Sequence, residues 1–340
     1  MITIPVPELI RSEEALHDRQ GGTHAYDRIT SVQNLVAAWR EFVRGKRGKK
    51  DVQEFQAHLM DNILSLHEDL RSGAYEHGSY EAFKIADPKP RDIHKASVRD
   101  RLLHHAIHRV LYPAIDRTFI ADSYSCREKK GTHRAMNRFR AFAYAESRNH
   151  TRTCYVLKCD IRKFFASVHH DTLVEILHRR IPDELTVCLL EKVIRSFGSE
   201  GRGLPLGNLT SQLLANLYMN ELDQFAKHRL KARRYIRYAD DFVIFSRDRA
   251  WLESLVPEIS SFLENRLKLY LHPDKVFIRT IASGVDFLGW VHFPDHRVLR
   301  SASKRRMFRN LDAERSEARI QSYLGLLSHG NARKLSALIS

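Results

Sequence analysis

Long hydrophobic runs are missing from this 340-residue sequence, and no stretch approaches the roughly 18 to 20 uninterrupted apolar residues of a membrane-spanning helix. The opening residues, MITIPVPELIRSEE, also lack the basic-then-apolar order of a secretory leader, which predicts a cytoplasmic protein. Cysteine is scarce. The four present, Cys126, Cys154, Cys159 and Cys188, never fall at the two-residue spacing of a zinc knuckle or redox pair, so reduced structural thiols are expected. Proline and glycine are sparse as well, at 10 and 15, and neither an internal repeat nor a low-complexity tract is present, which excludes a fibrous or disordered chain. Positive charge is abundant instead. Lys and Arg number 56 against 41 Asp and Glu, a formal +15, while 43% apolar residues suffice for a buried core. The usual meaning of such an excess is a polyanionic partner, most often nucleic acid.

The charge is uneven. Residues 44–50 read RGKRGKK, and the last 44 residues, 297–340, hold ten Lys and Arg against three acids in a pattern that predicts helices. Phe55, Leu59, Ile63 and Leu66 recur every three or four residues and predict one helix over 51–70. Short extended segments at 80–85 and 91–95, joined by DPKP, predict a hairpin with Lys89 and Arg91 near its tip. Helical periodicity returns at 97–113, closed by Pro113, and includes His104, His105 and His108. An i, i+4 histidine pair can hold a metal, but no neighbouring Glu or third ligand accompanies it, so zinc is not assigned.

TCYVLKCDI (153–161) is an apolar run ending in an acid, which predicts a buried strand that delivers Asp160 at its C-terminal edge. Helices are expected over 171–197 and a glycine-rich loop over 198–208. Asn208 or Thr210 can cap the helix that follows. YIRYADDFVIFS (235–246) reads as a hairpin with two acids, Asp240 and Asp241, on its bend, and further extended segments fall at 275–281 and 285–293. An unpaired carboxylate at the boundary of a core is costly, so something cationic should sit beside these acids. If their strands are neighbours, the three converge and suit hard divalent cations; two such ions about 3.5 to 4 Å apart serve nucleotidyl transfer. The alternative is an exposed turn for Asp240 and Asp241 and an arginine partner for Asp160.

YADD (238–241) between apolar strands, together with CDIRKFF (159–165) and GLPLGNLTSQ (203–212), resembles the ordered motif set of reverse transcriptases. The likeness runs from about residue 35 to about 335. It implies an α+β right-hand polymerase: residues 1–34 an N-terminal extension, 35–149 mostly fingers, 150–293 a palm built on an antiparallel sheet with 171–205 partly a fingers insertion, and 294–340 a short helical thumb. It also implies two Mg²⁺ ions, with Mn²⁺ as a substitute, bound by Asp160, Asp240, Asp241 and the Ile161 carbonyl. Phe165 matches the steric gate against a ribose 2′-hydroxyl. Arg91, helped by Lys89, matches the grip on the incoming deoxynucleoside triphosphate, Lys275 the lysine that protonates leaving pyrophosphate, and Phe287, Leu288 and Gly289 the primer-grip hairpin.

One departure narrows the resemblance. Most reverse transcriptases carry Gln before the glycine of the third motif, whereas this chain has Leu206 before Gly207, with Gln212 completing the stretch. That variant resembles the enzymes of diversity-generating retroelements, which copy a template-repeat RNA with errors opposite adenine and use a small basic pentameric accessory protein. Leucine offers contact without a hydrogen bond, so a mispaired nucleotide loses less; about 1.4 kcal/mol of lost discrimination admits tenfold more errors. Template RNA, an RNA–DNA duplex and deoxynucleotides are the implied partners, with RGKRGKK and Lys304, Arg305, Arg306 and Arg309 as candidate backbone contacts. A group II intron-like or phage-defence reverse transcriptase, and a catalytically inactive RNA-binding scaffold, are the alternatives.

Overall fold

Alternation of side chains in the run around Asp160 organises the structure. The computed structural model describes residues 24–85 and 91–340, so Lys89, at the expected hairpin tip, lies outside the described residues. The chain divides into two units. One holds residues up to Ile120 together with Lys163–Glu221 and Arg266–Leu269; the other holds Ala121–Arg162, Leu222–Asn265 and Tyr270–Ser340.

The first unit is mainly helical. Ser31 accepts a hydrogen bond from the Asn34 N–H and starts the helix Val32–Phe42, and Ser97 does the same through Asp100 for Val98–Asp116. The Asn34 amide then donates to the carbonyls of Ile29 and Ala106, fastening neighbouring helices where Leu35, Leu102 and Leu103 are fully buried. β1 (Glu81–Ile85) and β2 (Arg91–Lys95) form the expected antiparallel hairpin. Two expectations need correcting. The helix predicted over 51–70 is two helices, Lys50–Ala57 and Leu59–Arg71, because His58 between them leaves helical geometry at φ −122°, ψ 41°. Pro113 does not close its helix, which runs on to Asp116; the proline only forfeits the one N–H that would bond the Arg109 carbonyl, and the buried Leu111, Tyr112 and Ile115 keep the last turn packed.

The second unit is built on a four-stranded antiparallel sheet of β3 (Tyr155–Asp160), β4 (Tyr235–Tyr238), β5 (Asp241–Ser246) and β6 (Phe277–Thr280), in the order β4-β5-β3-β6. Val156 on β3 lies opposite Phe245 on β5 and Lys158 opposite Val243, so these residues share one face. Along that face Val156, Val243 and Phe245 join Phe139 and Phe142 of the helix Thr132–Glu146 in a core, which gives way to charge at Lys158 and Asp160. A second sheet, β7 (Val285–Phe287), β8 (Trp290–His292) and β9 (Arg297–Leu299), packs with the helices Ser301–Ala313, Glu317–Leu327 and Arg333–Ile339 around Trp290, Met307 and Leu327. The tail expected to be helical from residue 297 therefore begins as a strand.

Candidate active site

The register of the four-stranded sheet brings the acids together. Asp160, the last residue of β3, is the direct partner of Asp241, the first residue of β5. Directly opposed residues project to the same side, so the two carboxylates meet there with Lys158, two positions back along β3. Asp241 is not on the bend, as expected, but inside the strand. The turn has only two residues, Ala239 and Asp240, because Tyr238 pairs with Asp241, and Ala239 takes a left-handed φ of 56° to close it.

Each strand acid has a cationic partner, and it is lysine rather than arginine. Lys275 Nζ donates to Asp160 Oδ1 at 2.8 Å, and Lys158 Nζ lies 3.3 Å from Asp241 Oδ2. Lys275 is delivered by the turn Pro273–Lys275, which His272 opens by accepting the Asp274 N–H on its ring. The same segment clasps the strand end: the His272 N–H donates to Asp160 O at 2.8 Å and the Arg162 N–H to Tyr270 O at 2.9 Å, holding the buried Ile161 against Leu271. Burial pushes Asp241 up to about 7; the nearby Asp160 and Asp240 push the same way, and Lys158 opposes them.

Among the described residues, no three His, Cys, Asp or Glu side chains converge closely enough to form a ready-made metal cage. The residues nevertheless fit a hard divalent cation. Asp241 Oδ1 is buried without a hydrogen-bond partner, and Asp241 together with Asp160 and Asp240, whose charges raise its proton affinity, supplies the oxygen donors such an ion takes. His104, by contrast, is wholly buried and faces His77 at 3.2 Å between their Nε2 atoms.

Of the remaining expected residues of the first unit, Leu206 and Gly207 lie against β2, which Arg91 begins. Gly207 adopts φ 107°, and a Cβ there would come within 3.1 Å of the Ile93 side chain, so only glycine fits. The Leu206 carbonyl accepts the His94 N–H at 3.2 Å, and the Asn208 amide donates to the His94 carbonyl at 3.4 Å. Asn208 thus ties the loop to β2 immediately before the helix Leu209–Gln224, whose first turn contains the half-buried Gln212. Arg91, at the start of β2, is exposed. Phe165 is half-buried, set edge-on to the buried Phe164, and its carbonyl accepts the Leu204 N–H at 2.7 Å.

In the second unit, Phe287, Leu288 and Gly289 do form a hairpin corner, with Leu288 at φ 54° and Gly289 at φ 84°. The Phe287 ring is fully buried in the core, whereas Leu288 and Gly289 are half-buried. Lys304, Arg305 and Arg309 are exposed on Ser301–Ala313, while Arg306 is half-buried. Sequence reasoning missed two groups. Lys158 was signalled by period-two alternation with Asp160, and Arg237, fully buried with Asp223, by a charge that interrupts the apolar run before YADD.

An antiparallel sheet that presents acids from a strand end and from a hairpin turn, set among helices, has the α+β architecture of a right-hand polymerase. The family model described as "Reverse transcriptase (RNA-dependent DNA polymerase)" matches residues 86–292, and the chain belongs to that family. Its members use divalent metal ions. Protein YkfC of Escherichia coli K12 is 29% identical over 292 residues, 73% of this chain and 74% of that protein. The group II intron-encoded protein LtrA of Lactococcus lactis is 23% identical over 322 residues, 72% of this chain and 51% of its own length. Among solved structures, apo telomerase from Candida tropicalis superposes with a TM-score of 0.49 at 11% identity, covering 64% of this chain and 47% of that one. This chain thus spans about half the length of LtrA and of the telomerase. Among the described residues, no helix is long and apolar enough to cross a membrane.

Proposed function

We propose that the protein is the RNA-directed DNA polymerase of a diversity-generating retroelement, making adenine-mutagenised cDNA from a template-repeat RNA by two-metal-ion nucleotidyl transfer. The register that sets Asp160 opposite Asp241, beside the turn holding Asp240, carries the polymerase reading. On this reading Asp160, Asp240, Asp241 and the Ile161 carbonyl hold two Mg²⁺, or Mn²⁺ in their place. Bound ions of this kind activate a primer 3′-hydroxyl and stabilise departing pyrophosphate. The hydroxyl oxygen, giving up its proton to solvent water, bonds the α-phosphorus of the deoxynucleotide as the bond to pyrophosphate breaks. Lys158 and Lys275 neutralise the carboxylates beforehand, and Lys275, once released from Asp160, donates its proton to the leaving group. Arg91 and Lys89 grip the triphosphate. Phe165 excludes a 2′-hydroxyl, and Leu206, Gly207 and Gln212 border the nucleotide.

Residues 35–149 then act as fingers, 150–293 as palm and 294–340 as thumb, where Lys304, Arg305 and Arg309 follow the RNA–DNA duplex. The partner is a small basic pentameric accessory protein. The four free cysteines suit a cytoplasmic setting. The Leu206 and Gly207 pair supports the retroelement assignment, whereas the likeness to LtrA favours a second reading, a group II intron-type enzyme.

Primer extension on a defined RNA separates these readings. Asp240→Asn should abolish Mg²⁺-dependent nucleotide addition while RNA binding persists, and retained polymerisation would sink the two-metal assignment. Sequencing of wild-type and Leu206→Gln products tests the rest: errors concentrated opposite adenine and reduced by the glutamine support the retroelement, and a uniform spectrum supports the intron-type enzyme. A wild-type protein that binds RNA and adds no deoxynucleotide is the inactive scaffold.

A further inference from the structure

Behind the turn that carries Asp240 lies a charge the proposed chemistry does not use. Arg237 on β4 lies opposite Phe242 on β5, one position from the Tyr238–Asp241 pair, so its side chain leaves the sheet on the face away from Asp241. It is wholly buried, as is its partner Asp223 at the end of the helix Leu209–Gln224. The contact is a two-pronged fork: Nε donates to Asp223 Oδ1 and Nη2 to Oδ2, both at 2.7 Å. Tyr235 donates its hydroxyl to the same Oδ1 at 2.8 Å, and Nη2 reaches the Ser123 hydroxyl at 3.0 Å. The backbone is fixed too, since the Arg237 N–H donates to Asp122 O and the Tyr124 N–H to Arg237 O, each at 3.0 Å.

One guanidinium prong faces elsewhere. Nη1 donates to the carbonyl of Ala239 at 3.1 Å. Ala239 is the residue held at φ 56°, a conformation that residues with a Cβ adopt only when their surroundings impose it. A buried ion pair is a poor way to gain stability, because well-packed apolar side chains of similar volume often do as well or better. No apolar pair can donate to a turn carbonyl. We propose that Arg237, oriented by Asp223, is a positioning residue that fixes the two-residue turn and so sets where the Asp240 carboxylate stands relative to Asp160 and Asp241. The brace rests on the reading of Asp240 as a metal-binding acid. Arginine suits the task because its planar fork is rigid and always charged, so the carboxylate clamp at one end sets the angle of the prong at the other.

Single-turnover primer extension by the full chain in excess over RNA-templated primer, across a Mg²⁺ series, tests the assignment. Arg237→Lys keeps the charge and loses the fork. Its nucleotide-addition rate constant should fall on the order of 100-fold, as expected for a small misplacement of a reacting group, and its half-maximal Mg²⁺ should rise, with template–primer affinity within about twofold of wild type. A merely structural pair lowers the melting temperature and the fraction of protein able to bind, leaving the rate constant and Mg²⁺ dependence of the bound fraction unchanged; that result overturns the proposal. Should Arg237→Lys fail to fold, Ser123→Ala and Tyr235→Phe loosen the clamp without stranding a charge. A several-fold rise in half-maximal Mg²⁺ in both is expected, and no change in either refutes the brace. Asp240→Asn is run beside them. If it still extends primers the metal reading falls; if it is dead and the clamp variants match wild type, the brace alone falls.

Discussion

Replacing Asp241 by asparagine should make the metal-free protein more stable while ending its catalysis. Asp241 opens β5 with its side chain only 18% exposed and its Oδ1 without a partner. Burial holds its carboxyl at about 7, with Asp160 and Asp240 adding to the effect and Lys158 opposing it. In the unfolded chain the same group ionises near pH 4, as a free aspartate does at about 3.9. Between those values the folded state binds the additional proton, so the group's contribution to stability falls as pH rises from about 4 to about 7 and stays low above that. A separation of about three pH units amounts to about 4 kcal/mol at pH 8. Asparagine keeps the shape of the protonated carboxyl and carries no charge to bury. Thermal unfolding in EDTA at pH 8 should show Asp241→Asn melting a few degrees above wild type, with the gap closing toward pH 4. Added Mg²⁺ should raise the wild-type melting temperature more than that of the variant. An Asn variant that melts below wild type at pH 8 in EDTA refutes the reasoning, since it would mean that the ionised carboxylate is stabilised where it stands.

Acid should weaken the first unit. Burial lowers His104 to about 3 and, beside it, His105 and His108 to about 4, so the stability these neutral rings contribute is lost as pH falls below about 6.5. His104 alone accounts for about 2 kcal/mol at pH 5, and His104→Leu should lose about that much less than wild type between pH 7.5 and 5 in urea titrations; equal losses would count against it. In the second unit, a Cβ at Gly330 would stand 2.0 Å from the buried Trp290 ring. Gly330→Ala should therefore cost about 1–3 kcal/mol, read as a lowered urea midpoint, and an unchanged midpoint would show that Trp290 moves aside freely.

Most of the site could be read before the fold because its residues break a hydrophobic rhythm. Asp160 ends an apolar run and YADD splits another, and a charge that interrupts such a run is conspicuous in one dimension. Lys158 broke the same rhythm two residues earlier and escaped notice, since a lysine in a strand is ordinary until its neighbour across the sheet is known. The partner of Asp160 was equally hidden: 115 positions separate it from Lys275, and only the pairing of β3 with β6 and the clasp at His272 bring them together. Register also decided that Asp241 belongs to the strand and Asp240 to the turn. No local signal separates two adjacent aspartates. His58 and Pro113 misled for a related reason, because periodicity reports which side of a helix is greasy and says little about whether its backbone bends or where it stops.

The sheet face shared by Val156, Lys158 and Asp160 also makes folding its own inspector. Side chains alternate, so a one-residue slip of β3 against β5 would turn Lys158 and Asp160 to the side now filled by Leu157 and Cys159, and strand two charges among apolar neighbours. A chain with misplaced acids would thus be an unstable chain, and little inert but well-folded protein should accumulate. The same arithmetic restricts how such an enzyme can diverge. Substitutions at the apolar positions of β3 and β5 can be absorbed singly, whereas a single inserted or deleted residue between Tyr155 and Asp160 spoils the core and the chemistry together. Length variation is left to loops, and these two strands keep their count.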